Sequence, residues 1–271
     1  MHATDGRQTY ELVDALDGPP YQVLRHNDVV KTVWPDRRTQ LVERREHDSS
    51  FPFLLRAGGS RVTDFYEVVK QGVERVAGHE AAVLVVKPKD ALRHGYRLWS
   101  EKRSGLLLRA DVIGPGGEVL ESTAFSQLTI SPRPLLAEVK QALAQLQGYQ
   151  TLKSPYVATD LRAEGWSLDP LVPGFQLVSC VRRSVSAANG LAPTSGAADP
   201  TLLQVVYADG LSSVSVFVEP LGREGTVPEG RTASGALNTL TRRLDRWRVT
   251  VVGDVPPAAL ERFAEVLRRV P

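Results

Sequence analysis

The chain has 271 residues, enough for a sizeable core and for two domains rather than one. Its 42% hydrophobic and 24% charged content is that of an ordinary globular protein, and no apolar run is long enough to cross a bilayer as a helix. Lys+Arg 33 against Asp+Glu 31 leaves a net charge of +2, which excludes the strong basic imbalance of a general nucleic-acid binder, and the single cysteine, Cys180, excludes an internal disulfide or a cysteine zinc site.

Met1 to Gly6 is polar and lacks the charged-then-apolar pattern of a secretion signal. Thr9 to Leu16, Tyr21 to Arg25 and Val29 to Trp34 read as short strands, separated by Asp17-Gly18-Pro19-Pro20 and by His26-Asn27-Asp28. Thr39 to Ser50 is polar, and Phe51 to Leu55 is an apolar loop. Arg61 to Lys70 then places Val62, Phe65 and Val69 on one helical face, which predicts a short amphipathic helix. Val73 to Val76 and Glu80 to Lys87 form a hairpin around Ala77-Gly78.

The stretch from Gly95 to Ile130 organises the chain. Tyr96 to Ser100, Leu106 to Ile113 and Glu118 to Ile130 are three strands joined by turns at Lys102–Gly105 and Gly114–Gly117, an antiparallel meander. Strict alternation puts Leu106, Leu108, Ala110 and Val112 on one face, with Leu107, Arg109, Asp111 and Ile113 on the other. The dry face packs on the domain's own core or, in a curved sheet, lines a ligand cavity; alternation leaves both readings open.

Pro134 to Gln147 is the clearest helix, with Leu135, Leu136, Val139, Leu143 and Leu146 in a stripe and Gly148 at its end. The segment that follows has no periodicity, so the expected division is residues 1–150, a linker at 151–162, and a second domain at 163–271. In that domain, strand begins at Gln176, and Ser184 to Pro200 is a small-residue loop. Leu202 to Tyr207 and Leu211 to Glu219 flank Ala208-Asp209-Gly210, a hairpin signal. Leu221 to Gly230 is a second polar loop. Ala233 to Arg243 is ambiguous between helix and strand, and Arg248 to Val252 is expected to pair with it. The chain closes on a helix entered at Pro256-Pro257, with Leu260, Phe263, Ala264 and Leu267 on one face and arginines in the last turn. The second domain is therefore α+β.

Gly-x-Ser-x-Gly, His-Glu-x-x-His and the Gly-x-x-x-x-Gly-Lys-Ser/Thr phosphate loop are all missing from the sequence. His2, His26, His47, His79 and His94 lack metal-ligand spacing, and pairs such as Glu43 with Glu46 carry no sign of the burial a catalytic acid needs. The local chemistry favours a binding protein with no cofactor and no metal. Arg93, His94 and Arg97 form a cationic cluster suited either to plain surface solvation or to meeting a phosphate.

The blocks LDGPPYQVLRHNDVV, GVERVAGHEAAVLVVKPKD, RHGYRLWSEKRSGLLLRADVIGPGGEVLESTAFSQL, WSLDPLVPGFQLV, YADGLSSVSVFVE and VTVVGDVPPAALERFAE, in this order, resemble the MucB/RseB family. The resemblance runs from about Tyr10 to the last helix. It implies an α+β protein with a LolA-like N-terminal domain, a curved antiparallel half-barrel with covering helices, and a smaller α+β C-terminal domain. It further implies a periplasmic, non-enzymatic negative regulator of the envelope-stress sigma factor. Such a regulator binds the periplasmic part of a MucA/RseA-like anti-sigma factor, shields it from proteolysis, and is released by lipopolysaccharide or lipoprotein acyl chains. The family's leading helix and first strand are almost absent ahead of Thr9, which points to an exposed sheet edge and to a homodimer or higher oligomer.

Under this reading the lipid face comprises Leu84, Val86, Leu98, Trp99, Leu106, Leu108 and Phe125, although their opposite strand parities cannot all serve one face. The headgroup residues are Arg93, His94 and Arg97, and the partner surface is Arg182, Arg183, Asp209 and Phe217. The alternative function is a periplasmic lipid or lipoprotein carrier of LolA type.

Overall fold

The computed structural model describes residues 1–4, 8–44, 62–130, 136–153, 156–169, 172–184, 201–221 and 229–270. The apolar loop expected at Phe51–Leu55, the loop from 185 to 200 and most of that from Leu221 to Gly230 lie outside these residues.

The chain opens with β1 (His2–Thr4), β2 (Thr9–Asp14), β3 (Gln22–His26), β4 (Val29–Trp34) and β5 (Thr39–Arg44). After α1 (Val62–Phe65) come β6 (Tyr66–Val76), β7 (His79–Pro88), β8 (Gly95–Glu101), β9 (Leu107–Ile113) and β10 (Val119–Ala124). Helix α2 (Leu136–Ala144) and β11 (Gln150–Lys153) follow, then β12 (Tyr156–Ala158), β13 (Trp166–Leu168), β14 (Gln176–Ser184), β15 (Thr201–Ala208) and β16 (Ser213–Pro220). The chain ends with β17 (Gly230–Ser234), β18 (Leu237–Leu244), β19 (Trp247–Gly253), α3 (Pro257–Val266) and β20 (Leu267–Arg269).

Two compact units result. In the first, β1 to β5 form an antiparallel meander, and β11 returns beside β5 in parallel to complete the order β1-β2-β3-β4-β5-β11. Alternation turns Tyr10, Leu12, Leu24 and Val33 to one face, where Ala142, Leu143, Leu146 and Tyr149 from α2 and its exit cover them. Gly148, at φ 81°, supplies the left-handed residue that ends this helical segment. The polar stretch after Thr39 thus contains a strand, whose Gln40 donates to Thr151 Oγ1 of β11 at 2.9 Å.

The second unit holds a five-stranded antiparallel sheet, β10-β9-β8-β7-β6, and a seven-stranded one, β12-β14-β15-β16-β19-β18-β17. The expected helix at Arg61–Lys70 shrinks to the four residues of α1, because from Tyr66 onward the chain pairs with β7 along all of β6. Ladder bonds to a neighbouring strand outweigh a period that only three apolar residues support.

The five-stranded sheet corrects the faces read from strict alternation. Trp99 pairs with Arg109 but Ser100 pairs with Leu107, so Leu108 is the extra residue of a bulge and shares a side with Arg109. Leu107, Ala110 and Val112 therefore pack with Tyr66, Val86, Tyr96 and Leu98, whereas Leu106 and Leu108 pack with Ala81, Val83, Trp99, Phe125 and Leu128 on the opposite face. Both faces are dry.

In the seven-stranded sheet, Val205, Val214, Val216, Val218, Val249 and Val251 face inward, and α3 covers them with Ala259, Leu260, Phe263 and Ala264. Proline at the helix start fits a position with no intrahelical donor to lose. The ambiguous segment from Ala233 resolves into the β17–β18 hairpin, and β18 pairs with β19 across Leu244 and Trp247 as expected. The closing arginines are not in the last helical turn. Arg268 and Arg269 belong to β20, which pairs with β13, and the Arg269 guanidinium lies 5.2 Å from the Trp166 ring and 5.3 Å from that of Trp247. Cys180, on β14, is a buried core residue whose thiol burial pushes up to about 11.

Candidate functional site

The structure divides the expected lipid residues between two faces. Leu84, Val86 and Leu98 share the face that carries Tyr66, Tyr96 and Leu107, while Trp99, Leu106, Leu108 and Phe125 share the other. Leu84 pairs directly with Leu98, and Trp99, its chain neighbour, must point away. Each face holds three or four of the seven residues, and Val86, Leu98, Trp99 and Leu108 are buried core residues rather than open surface.

Of the expected headgroup cluster, only Arg97 keeps surface. Its guanidinium bonds Glu74 at 3.0 Å and lies 5.1 Å over the Trp99 ring. Arg93 and His94 are corrections: both are interior, at 2% and 3% exposure. Burial lowers the His94 pKa, with the carbonyls of Ala236 and Val255 pulling the other way, so the ring is neutral near pH 7. A neutral interior imidazole does not meet a phosphate.

Asp209, expected on a partner surface, is also interior, and it explains Arg93. Its Oδ1 accepts Leu211 N at 3.0 Å and Ser212 N at 2.8 Å, closing the turn between β15 and β16. Its Oδ2 accepts the Tyr66 hydroxyl at 2.9 Å and Arg93 Nε at 2.7 Å. Arg93 also donates to the Asp90 carboxylate and the Pro173 carbonyl, with its guanidinium 4.4 Å from the Phe65 ring and 4.9 Å from the Phe175 ring. Gly174, at φ 86°, is the floor of this seat, since a Cβ there would fall 2.7 Å from Phe65 and against the guanidinium itself. Leu211, read from the sequence as the start of a strand, instead sits in the turn and packs against the five-stranded sheet.

Tyr96 shares this junction, its hydroxyl 2.8 Å from Ser212 Oγ. Burial, then the Asp209 charge, holds the Tyr66 phenol far above its ordinary pKa, and burial does the same for Tyr96. Both phenols are therefore neutral near pH 7. Beside the junction, a cleft of about 430 Å³ is walled by Val85, Val86, Pro88, Tyr96, Ile113 and Arg93.

Half-buried Asp254, at the end of β19, accepts Ser213 N at 2.6 Å. Burial and then the nearby Asp209 charge raise its pKa from 3.8 to about 6, against the pull of the Ser213 hydrogen bonds. The native state then binds more protons than the unfolded chain between those two values, so this group's contribution to stability falls as pH rises from about 4 to about 6 and is constant above. Asp254→Asn is expected to flatten the stability profile in that window and to raise unfolding free energy at pH 7 by about 1–3 kcal/mol. Urea titrations at pH 4.5, 6 and 7.5 check this; an unchanged slope contradicts it.

The remaining partner candidates stay accessible. Arg182 is exposed and pairs with Glu164, and Arg183 donates to Gln204 Oε1 at 2.8 Å. Phe217 is half-buried on the sheet face opposite α3, with Gln204 and Thr250 as cross-strand partners. Arg182 and Arg183 sit one strand in from the edge strand β12, whose Val157 is 67% exposed. Sequence reasoning missed Tyr66, Tyr96, Ser212, Gly174 and Phe175; the proline-glycine turn before Phe175 is the only local signal for any of them. Among the described residues, no cluster of three or more His, Cys, Asp or Glu is placed to hold a metal ion.

Comparison with known proteins agrees along the whole chain. The crystal structure of MucB in complex with MucA(peri) matches with a TM-score of 0.68 and 27% identity over 100% of this chain and 86% of that one. The complex structure of Pseudomonas aeruginosa MucA/MucB matches with a TM-score of 0.69 and 26% identity over 100% and 87%. Among curated proteins, the sigma factor AlgU regulatory protein MucB of P. aeruginosa is 32% identical over 258 residues, 93% of this chain and 75% of its own length. The sigma-E factor regulatory protein RseB of Escherichia coli K12 is 25% identical over 264 residues, 97% and 78% respectively. The fold is thus that of the sigma-factor regulatory proteins, an α+β architecture of open antiparallel sheets. The MucB/RseB N-terminal domain matches residues 1–147 and the MucB/RseB C-terminal domain residues 160–268, and the chain belongs to the MucB/RseB family.

Proposed function

We propose that this protein is a non-enzymatic negative regulator of the envelope stress response that acts in the periplasm. In this reading it binds the periplasmic part of a MucA/RseA-like anti-sigma factor, shields it from proteolysis, and lets it go when lipopolysaccharide or acyl chains bind. The observation that carries the reading is the likeness to MucB along the whole of this chain, two of the MucB structures being of complexes with MucA.

Residues 1–150 are the lipid-sensing part and 163–271 the partner-binding part, joined through 151–162. Burying an acyl chain stabilises a complex by about 0.8 kcal/mol per methylene, whereas one exposed ion pair contributes about 0–1 kcal/mol. Apolar contact therefore supplies most of the lipid affinity, with Leu98 and Leu108, buried in this state, reached only as an acyl chain displaces their present neighbours, and Arg97 gives at most a headgroup preference. For the partner, Arg182, Arg183 and Phe217 lie on or beside open β-sheet surface, where an extended segment can add along β12.

The test is protection. The periplasmic segment of the anti-sigma factor, digested by its site-one protease, is expected to survive at least ten-fold longer with the protein present, and Arg182→Glu/Arg183→Glu to reduce that protection several-fold. Equal lifetimes with and without the protein sink the regulator reading. Acyl binding without protection would favour a lipid or lipoprotein carrier.

A further inference from the structure

The turn between β15 and β16 is an unusual place for a fully buried carboxylate. Ala208-Asp209-Gly210 is ordinary turn chemistry, and such turns normally face water. Here the Asp209 side chain is wholly buried, as is that of Arg93, and the pair bridges positions 116 residues apart. The turn belongs to the seven-stranded sheet. Its partners arrive from the start of β6, where Tyr66 bonds Asp209, from the approach to β8, where Arg93 sits, and from β8 itself, where Tyr96 meets Ser212. Two strands of the five-stranded sheet thus grip one turn of the seven-stranded sheet.

The energetics of this grip set its behaviour. A buried ion pair adds little net stability over an apolar replacement of the same shape, but parting it without solvation leaves two bare charges in a dry interior. Intermediate separations are therefore penalised, and the junction has two acceptable arrangements: engaged, or opened to water. Asp209 leaves no spare acceptor, since both of its oxygens already hold two donors each. Phe65 and Phe175 against the guanidinium and Gly174 beneath it make the seat specific to a flat cation.

The connectivity gives the grip a consequence. The N-terminal family match runs through residue 147, yet the five-stranded sheet groups with the C-terminal sheet in one compact unit. On one side of the junction, Tyr66 and Tyr96 belong to the apolar cluster that includes Val86 and Leu98. On the other, the gripped turn leads directly into β16, which carries Phe217.

We propose that Arg93 and Asp209 form a conformational latch that makes the five-stranded sheet and the C-terminal sheet one mechanical body, and that parting it transmits lipid occupation of the former to partner binding on the latter. The second half rests on the regulator reading above. The first half does not.

The test uses the full chain with Arg93→Met/Asp209→Asn, which keeps shape and the Oδ1 acceptor of the turn, and with Arg93→Lys, which keeps the charge but not the flat fork. Hydrogen exchange is read on Gly95–Glu101 and on Ser213–Pro220, and binding of the anti-sigma periplasmic segment is read with and without lipopolysaccharide. In the wild type, both strands are expected to open with one common protection factor. In the double variant the two are expected to differ at least ten-fold, with Arg93→Lys in between, and lipopolysaccharide is expected to change segment affinity less than two-fold. Uniform exchange in both variants overturns the latch, whatever the partner does. Split exchange with the lipid effect intact overturns its role in transmission. A wild type that binds no segment sinks the regulator reading, and with it the transmission role, while the exchange data still decide the latch.

Discussion

Arg93→Ala is expected to lower the unfolding free energy by about 3–5 kcal/mol, the range for removing one partner of a buried ion pair. The loss has three sources. Asp209 keeps its charge in the interior with only the Tyr66 hydroxyl and two backbone amides around it. The Pro173 carbonyl loses its donor, and the Phe65 and Phe175 rings lose the cation between them. Asp209→Asn is expected to cost less, because the amide oxygen still closes the turn and an unpaired arginine retains Asp90. Urea denaturation at pH 7 measures both, and a loss below about 1 kcal/mol for Arg93→Ala would show that water reaches the guanidinium and that the junction is not dry.

Phe263→Ala is expected to cost a similar amount, about 3–5 kcal/mol, for an unrelated reason. Phe263 is fully buried on α3 and packs edge-on against Phe175 at 5.3 Å and beside Tyr207 at 5.5 Å. Truncation removes the ring's transfer energy and leaves a cavity between the helix and the valine face of the seven-stranded sheet. Phe263→Leu, which refills most of that space, should recover more than half of the loss. Equal losses for the two substitutions would mean that the ring edge, not its volume, holds α3 in place. The two sites also meet at Phe175, which touches both Arg93 and Phe263, so Arg93→Ala/Phe263→Ala should be measurably non-additive.

Local patterns carried much of the fold. Val29 to Trp34 reads as a strand from its β-branched residues and is one, and the hairpin around Asp209-Gly210 and the closing helix follow from turn and period signals alone. Three features were not legible for identifiable reasons. The helix expected at Arg61–Lys70 rested on three apolar residues, and β6 hides its own period because Val68 and Val69 are adjacent and both exposed, as an edge strand allows. The bulge at Leu108 reverses the sides of Leu106, Leu107 and Leu108 relative to the rest of the strand, and no residue type at that position announces it. The charged junction joins Arg93 to Asp209 and Tyr66 to Asp209 across 116 and 143 positions, so each residue, viewed locally, looks like ordinary surface. That is why two residues read as ligand contacts are structural, while Arg182, Arg183 and Phe217, chosen by the same local logic, remain accessible.

In the proposed regulator, lipid and an anti-sigma segment bind in opposition. Calorimetric titration with the periplasmic segment of a MucA/RseA-like anti-sigma factor, repeated in the presence of lipopolysaccharide, tests this opposition. Saturable binding is expected, weakened at least ten-fold by lipopolysaccharide, with lipopolysaccharide binding weakened by the segment by the same factor through reciprocity of linkage. Segment binding of equal affinity with and without lipopolysaccharide, or no segment binding at all, would contradict it.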